Sequence, residues 1–227
     1  MHDKKPKPGF RVVVSSPAAI ERDGSVIISF RGTDSSSLSS MASNMDLSEH
    51  DALLNTFARG YVEVHKGYQS YALRAFDALL QYLSENKLRI NHIYITGHSL
   101  GGATATVFAA LLHQRLPNLN FPGITVTTFG APMSGNAKFS QWYNKVNLGM
   151  RTIRAVHDQD RIGPPFPLNM DESVSRRYLQ IYGYNKWEHV DGLIVATSQQ
   201  SGFRAPHGME TYMKLFAPSS PWNALKF

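Results

Sequence analysis

The chain has 227 residues, 42% of them hydrophobic, a formal net charge of +6 and no cysteine. That is enough for one domain with a sizeable core, and it excludes disulfides, thiol catalysis and thiolate metal sites. No apolar run is long enough to span a bilayer, and no basic stripe with interleaved aromatics points to nucleic acid.

Residues 1–9 carry Lys4, Lys5 and Lys7 among prolines and predict a flexible basic tail on a single domain over 1–227. The tail lacks the apolar stretch of a secretory signal, which predicts a cytosolic protein, one exported without such a signal, or a processed form. Its lysines would favour anionic lipid, although a basic surface also serves solubility alone. Residues 11–15 and 25–30 are apolar and β-branched, and Asp23-Gly24 between them carries a turn signal for a hairpin or meander edge. Over 68–85 the spacing of Ala72, Ala75, Phe76, Leu79, Leu80 and Leu83 predicts a helix packed on a sheet.

Residues 90–96 have the β-branched and aromatic content of a strand. Gly97-His98-Ser99-Leu100-Gly101-Gly102 follows, then small and apolar residues over 102–112 that predict a helix stopped before Pro117. Residues 123–129 and 151–156 predict two further strands. The alternation implies an α/β fold, a mostly parallel central sheet with helices on both faces. Sites in such sheets lie beyond the carboxyl ends of the strands, here after Phe30, Thr96 and Val156.

Strand, G-x-S-x-G and helix in that order form the nucleophile elbow of an α/β-hydrolase. The glycines permit close backbone approach, and the turn presents the Ser99 hydroxyl at the positive end of the helix. A serine needs a base to take its proton, and a histidine base needs a carboxylate to hold its tautomer. In this fold the order is Ser, then Asp or Glu, then His. Asp158 and Asp160 lie just past the 151–156 strand in a Pro-rich loop, and only His189 and His207 lie beyond them. The backbone N–H of Leu100, the residue after the nucleophile, is a predicted oxyanion donor.

Several segments together resemble the class 3 lipases: Phe30-Arg31-Gly32-Thr33-Asp34, Val64-His65-Lys66-Gly67-Tyr68, the elbow, Thr128-Phe129-Gly130-Ala131-Pro132 with Gly135-Asn136, the Asp160 loop and the His207 segment. The resemblance runs from about Arg11 to about residue 216. It implies Asp160 as the acid, with Asp158 the alternative two residues nearer the strand. It implies His207 as the base, on a Pro-Gly-flanked loop before a short helix with a tyrosine a few residues on, and His189 as a structural strand histidine. It implies Thr33 as the second oxyanion donor. His65 and His98 match positions that are usually structural, and His157 is expected to order its loop. His2, His50, His92 and His113 are expected at the surface. Residues 35–48 correspond to a lid, with Leu38, Met41 and Met45 spaced for one helix face. The tryptophan that the family often carries there is absent. Family members usually have a helical segment before the first strand, whereas this chain enters strand-like sequence by Arg11. That implies a compact or a truncated N-terminus and, if the helical layer is missing, a sheet partly uncovered, inviting self-association.

The resemblance therefore implies a serine hydrolase of lipid carboxylic esters, acting through an acyl-enzyme with no metal or organic cofactor. Its partners would be the lipid ester and, transiently, the lipid–water interface. Phospholipase A1 or galactolipase activity, or a secreted membrane-attacking effector, would use the same chemistry. A non-catalytic binding module is the alternative of a different class.

Overall fold

The computed structural model describes residues 25–32, 50–52, 62–86, 90–115, 123–160, 187–196 and 206–216. Strands β1 (Ser25–Phe30), β4 (His92–His98), β5 (Gly123–Phe129), β7 (Thr152–His157) and β9 (Leu193–Ala196) form a five-stranded sheet in the order β1-β4-β5-β7-β9. All of its pairings are parallel. β2 (His50–Ala52), β3 (Glu63–His65), β6 (Gly135–Asn136) and β8 (Trp187–Glu188) form a smaller antiparallel sheet. Strands of two or three residues carry no readable alternation, and the sequence pattern did not predict this second sheet.

Helix α1 (Lys66–Asn86) starts two residues ahead of the predicted helix and buries Ala72, Ala75, Phe76 and Leu79 on one face. Helix α2 (Leu100–Arg115) lies between α1 and the sheet and is buried from Gly101 to Leu112. It is apolar all round because it has neighbours on every side, as a central helix requires. Phe30 from β1 and Phe108 from α2 meet with ring centroids 5.2 Å apart, and Val26, Ile28, Ile93, Ile95 and Val126 complete the core between them. Helix α3 (Ala137–Lys145) begins at Asn136, whose side chain accepts from the Phe139 N–H at 2.9 Å. Such a cap satisfies an orphan first-turn donor.

The short helix α4 (Met209–Phe216) covers the carboxyl end of the other sheet face. Phe129 on that face meets Tyr212 and Phe216 with centroids 6.0 and 5.9 Å away. Towards the other end of the same face, Ile27, Tyr94 and Ile153 are 40%, 44% and 38% exposed. The predicted strand at 11–15, its Asp23-Gly24 turn, the basic tail and the lid segment lie outside the described residues.

At the elbow, two boundaries differ from the sequence pattern. The predicted 90–96 strand runs on through Gly97 and His98, which pair with Thr128 and Phe129 of β5. The helix then begins at Leu100 rather than Gly102. Glycines depress strand propensity, but here the β5 edge supplies backbone partners for both residues. The whole turn between strand and helix is therefore the single residue Ser99.

His92 is also not a free surface residue. Its Nε2 lies 2.9 Å from Thr125 Oγ1 and its ring packs on Tyr94 at 4.3 Å. A register that sets His92 opposite Gly123 leaves room for the ring.

Candidate active site

Ser99 has φ 56°, in the left-handed region that a residue with a Cβ enters at a cost. The surroundings hold it there. The Ser99 N–H donates to Phe129 O at 2.9 Å, and its carbonyl accepts from Gly102 and Ala103. The glycines on either side cannot carry a Cβ. At Gly97 it would fall 2.3 Å from Gly101 O, and at Gly101 it would fall 2.1 Å from Phe30 O. Both are far inside van der Waals contact, so the elbow is tight enough to admit only hydrogen at these positions. Gly32 packs against the same turn, its would-be Cβ 2.6 Å from His98 O and 3.3 Å from Ser99 Cβ. The loop after β1 is thereby pressed onto the elbow. Thr33, the next residue, lies outside the described residues. Leu100 opens α2, so its N–H has no carbonyl a turn behind it within the helix, and the helix dipole is positive there.

His207 sits just before α4. Its Nε2 is 2.8 Å from Ser99 Oγ, and its Nδ1 is 2.8 Å from Asp160 Oδ2 and 3.0 Å from Oδ1. A carboxylate only accepts, so Nδ1 carries the proton and Nε2 is left to accept from the Ser99 hydroxyl. Asp160 is fully buried and the His207 side chain 13% exposed. Ion pairing in so dry a site is screened far less than at the surface.

Gly130 completes the wall behind the carboxylate. It has φ 54°, and a Cβ there would fall 2.5 Å from Asp160 Oδ2 and 3.1 Å from His207 Nδ1. The Asp160 loop is folded by His157, whose carbonyl accepts from the Asp160 N–H at 2.9 Å and whose Nδ1 accepts from the Gln159 N–H at 3.1 Å.

The two alternatives from the sequence stand elsewhere. Asp158 lies 3.4 Å from His157 Nδ1, and its N–H donates to Ala196 O. His189 lies on the link between β8 and β9, where its carbonyl accepts from Ser140 Oγ at 2.8 Å. That link is pinned by Arg154, which donates to Val190 O at 2.7 Å. Burial lowers the Arg154 guanidinium to about 10 against the opposing pull of Asp191, which leaves it charged at neutral pH.

Tyr212 has a place that the sequence did not assign. Its hydroxyl donates to Asp160 Oδ2 and accepts from the His157 N–H at 3.2 Å. Burial first, and the negative charge of Asp160 next, push this hydroxyl far above its ordinary value, so it remains a donor. The sequence signal was the tyrosine one helical turn past the His207 loop. Replacing Tyr212 with phenylalanine would remove its bond with the buried His157 N–H and its bond to Asp160. The expected loss is about 1–3 kcal/mol in urea unfolding, with a fall in kcat smaller than that from altering Asp160 itself.

His98 and His113 are held below their ordinary histidine value. Burial is the first cause for both, with His207 the second for His98 and Arg151 for His113. A depressed folded-state value means the unfolded chain binds more protons at mildly acid pH. Stability is therefore full above the unfolded value of 6.5 and declines as pH falls from there through the folded values. Melting temperatures measured from pH 8 to pH 5 are expected to fall below about pH 6.5.

A parallel sheet in which the elbow serine and a buried Asp–His pair meet beyond the strand ends is an α/β-hydrolase fold. The chain belongs to the class 3 lipase family, Lipase (class 3), whose profile matches residues 27–169. It is 29% identical over 136 residues to phospholipase A1-Igamma1, chloroplastic, of Arabidopsis thaliana, covering 54% of this chain and 26% of that protein. It is 34% identical over 107 residues to a lipase of Rhizomucor miehei, covering 46% of this chain and 29% of that protein. The chain thus spans about a quarter of the length of these curated relatives. Among solved structures it resembles M37 lipase, with a TM-score of 0.58 at 17% identity, over 74% of this chain and 60% of that one. Among the described residues, no group of three or more His, Cys, Asp or Glu is placed to hold a metal ion. No helix among them is long and apolar enough to cross a membrane.

Proposed function

We propose that this chain hydrolyses carboxylic ester bonds of lipids, with Ser99 as nucleophile, His207 as general base and acid, and Asp160 as the carboxylate that orients His207. The observation that carries this reading is His207 bridging Ser99 Oγ at 2.8 Å and both oxygens of a buried aspartate. Ser99 Oγ attacks the acyl carbonyl while Nε2 takes its proton. The imidazolium then returns that proton to the alcohol oxygen as the ester C–O bond breaks. Water repeats the sequence on the acyl-enzyme: His207 takes its proton, the hydroxide adds to the carbonyl, and the fatty acid leaves as Ser99 regains its proton. The Leu100 N–H is assigned as one oxyanion donor. The family resemblance assigns Thr33 as the other, and the lid to residues 35–48.

The test is hydrolysis of short- and long-chain p-nitrophenyl esters across their solubility limits, with Ser99→Ala as the blank. A Ser99-dependent rate that rises once long-chain aggregates form supports a lipase that works at the interface. A preference for soluble short chains supports a carboxylesterase on this fold. The absence of any Ser99-dependent rate on either would overturn ester hydrolysis as the general activity.

A second reading, phospholipase A1-type hydrolysis, is favoured by the relative of that name and by the net charge of +6. Release of fatty acid from anionic phospholipid vesicles, faster than from a triacylglycerol emulsion, would select it.

A further inference from the structure

His98 bonds the base from behind. Its Nε2 lies 2.7 Å from the backbone carbonyl of His207. Its ring packs tilted on the His207 ring with centroids 4.8 Å apart and planes 34° apart, and the Tyr212 ring centre lies 5.7 Å from that of His98. A carbonyl only accepts, so His98 Nε2 carries a proton. We propose that His98 is a positioning residue for the base: its Nε2–H and its ring fix the height and tilt of the His207 imidazole over Ser99. This rests on the triad reading above.

His98 and Ser99 are consecutive at the end of β4. One holds the His207 backbone and the other faces its side chain, so the base is tied at two points to the strand end that carries the nucleophile. His98 itself is fixed by pairing with Phe129 of β5 and by Gly32 packed on its carbonyl.

The charge state of His98 matters as well. Among the described residues, the charged and titratable groups that face it are His207, Asp160 and Tyr212. During acyl transfer His207 becomes a cation 4.8 Å from the His98 ring centre. A protonated His98 would oppose that cation, whereas the neutral Nε2–H form supplies the bond without the charge. Burial, and then His207 itself, keep His98 below the ordinary histidine value.

The test compares His98→Leu with His98→Gln, whose amide N–H can reach the position of Nε2. Two readouts are used: kcat and KM on a soluble short-chain p-nitrophenyl ester, and the downfield proton resonance of the His207 Nδ1–H bonded to Asp160. His98→Leu is expected to lower kcat about 10–100-fold with KM within about twofold, the scale of a misplaced catalytic group. It should also shift or broaden the resonance. His98→Gln should recover most of the kcat and return the resonance toward its original position.

An unshifted resonance in His98→Leu, or equal damage from both variants, would overturn the proposal. If His98→Leu does not fold, a His98→Gln protein that folds with a weakened kcat and a displaced resonance also counts against it. If the unaltered protein shows no Ser99-dependent hydrolysis, the triad reading fails instead, and the resonance in the two variants still decides the role of His98.

Discussion

Replacing Ser99 with alanine is expected to lower kcat for ester hydrolysis by about 10⁶-fold, the scale seen when a serine nucleophile acting as part of a unit is removed. Ser99 Oγ is the atom facing His207 Nε2, and no other hydroxyl is bonded there among the described residues. Ester turnover against a matched denatured blank measures the rate. A companion variant separates chemistry from backbone strain. Ser99→Gly also lacks the hydroxyl, but it relieves the cost of a Cβ at φ 56°. It should unfold about 1 kcal/mol harder than Ser99→Ala, after allowing for the extra chain entropy of glycine. Urea unfolding of the two variants side by side checks this. A Ser99→Gly protein less stable than Ser99→Ala by about 0.5–1 kcal/mol, the entropy cost of glycine alone, would mean that the elbow is not strained at this position.

Asp160→Asn should reduce kcat by about 10⁴-fold with little change in overall shape. The carboxylate accepts the Nδ1–H of His207 through both oxygens and offsets the charge of the imidazolium. An amide of the same size can turn its NH2 toward Nδ1, which selects the wrong tautomer and leaves Nε2 unable to accept from Ser99. Tyr212 can still donate to the remaining amide oxygen, so the protein should fold. The decisive comparison is Asp158→Asn, expected to keep near-normal kcat because Asp158 is turned toward His157. If the two variants were equally inactive, the acid would be misassigned.

Much of the scaffold was legible in the residues. Strands β1 and β5 occupy the positions that their β-branched runs predict, and α1 follows the spacing of its apolar face. These features are local: side-chain shape, period and turn chemistry act over a few neighbours and survive in any context that offers a core. The elbow was legible for the same reason, since close packing of Gly97 against Gly101 needs glycine at those positions. Its tightness was not, because the pairing of Gly97 and His98 comes from β5, some thirty residues downstream.

The sequence by itself determined the fold class and singled out one candidate nucleophile with a short roster of candidate partners: two aspartates and two histidines in the right order. Family resemblance narrowed the roster, but only the tertiary structure set His207 against Ser99 across 108 positions and against Asp160 across 47. It alone turned Asp158 and His189 elsewhere, and it brought Tyr212 and His98 to the Asp160–His207 pair. The physical reason is that hydrogen bonds of 3 Å between distant residues depend on the order of strands in the sheet and on how α4 packs across Phe129. No local propensity encodes those distances.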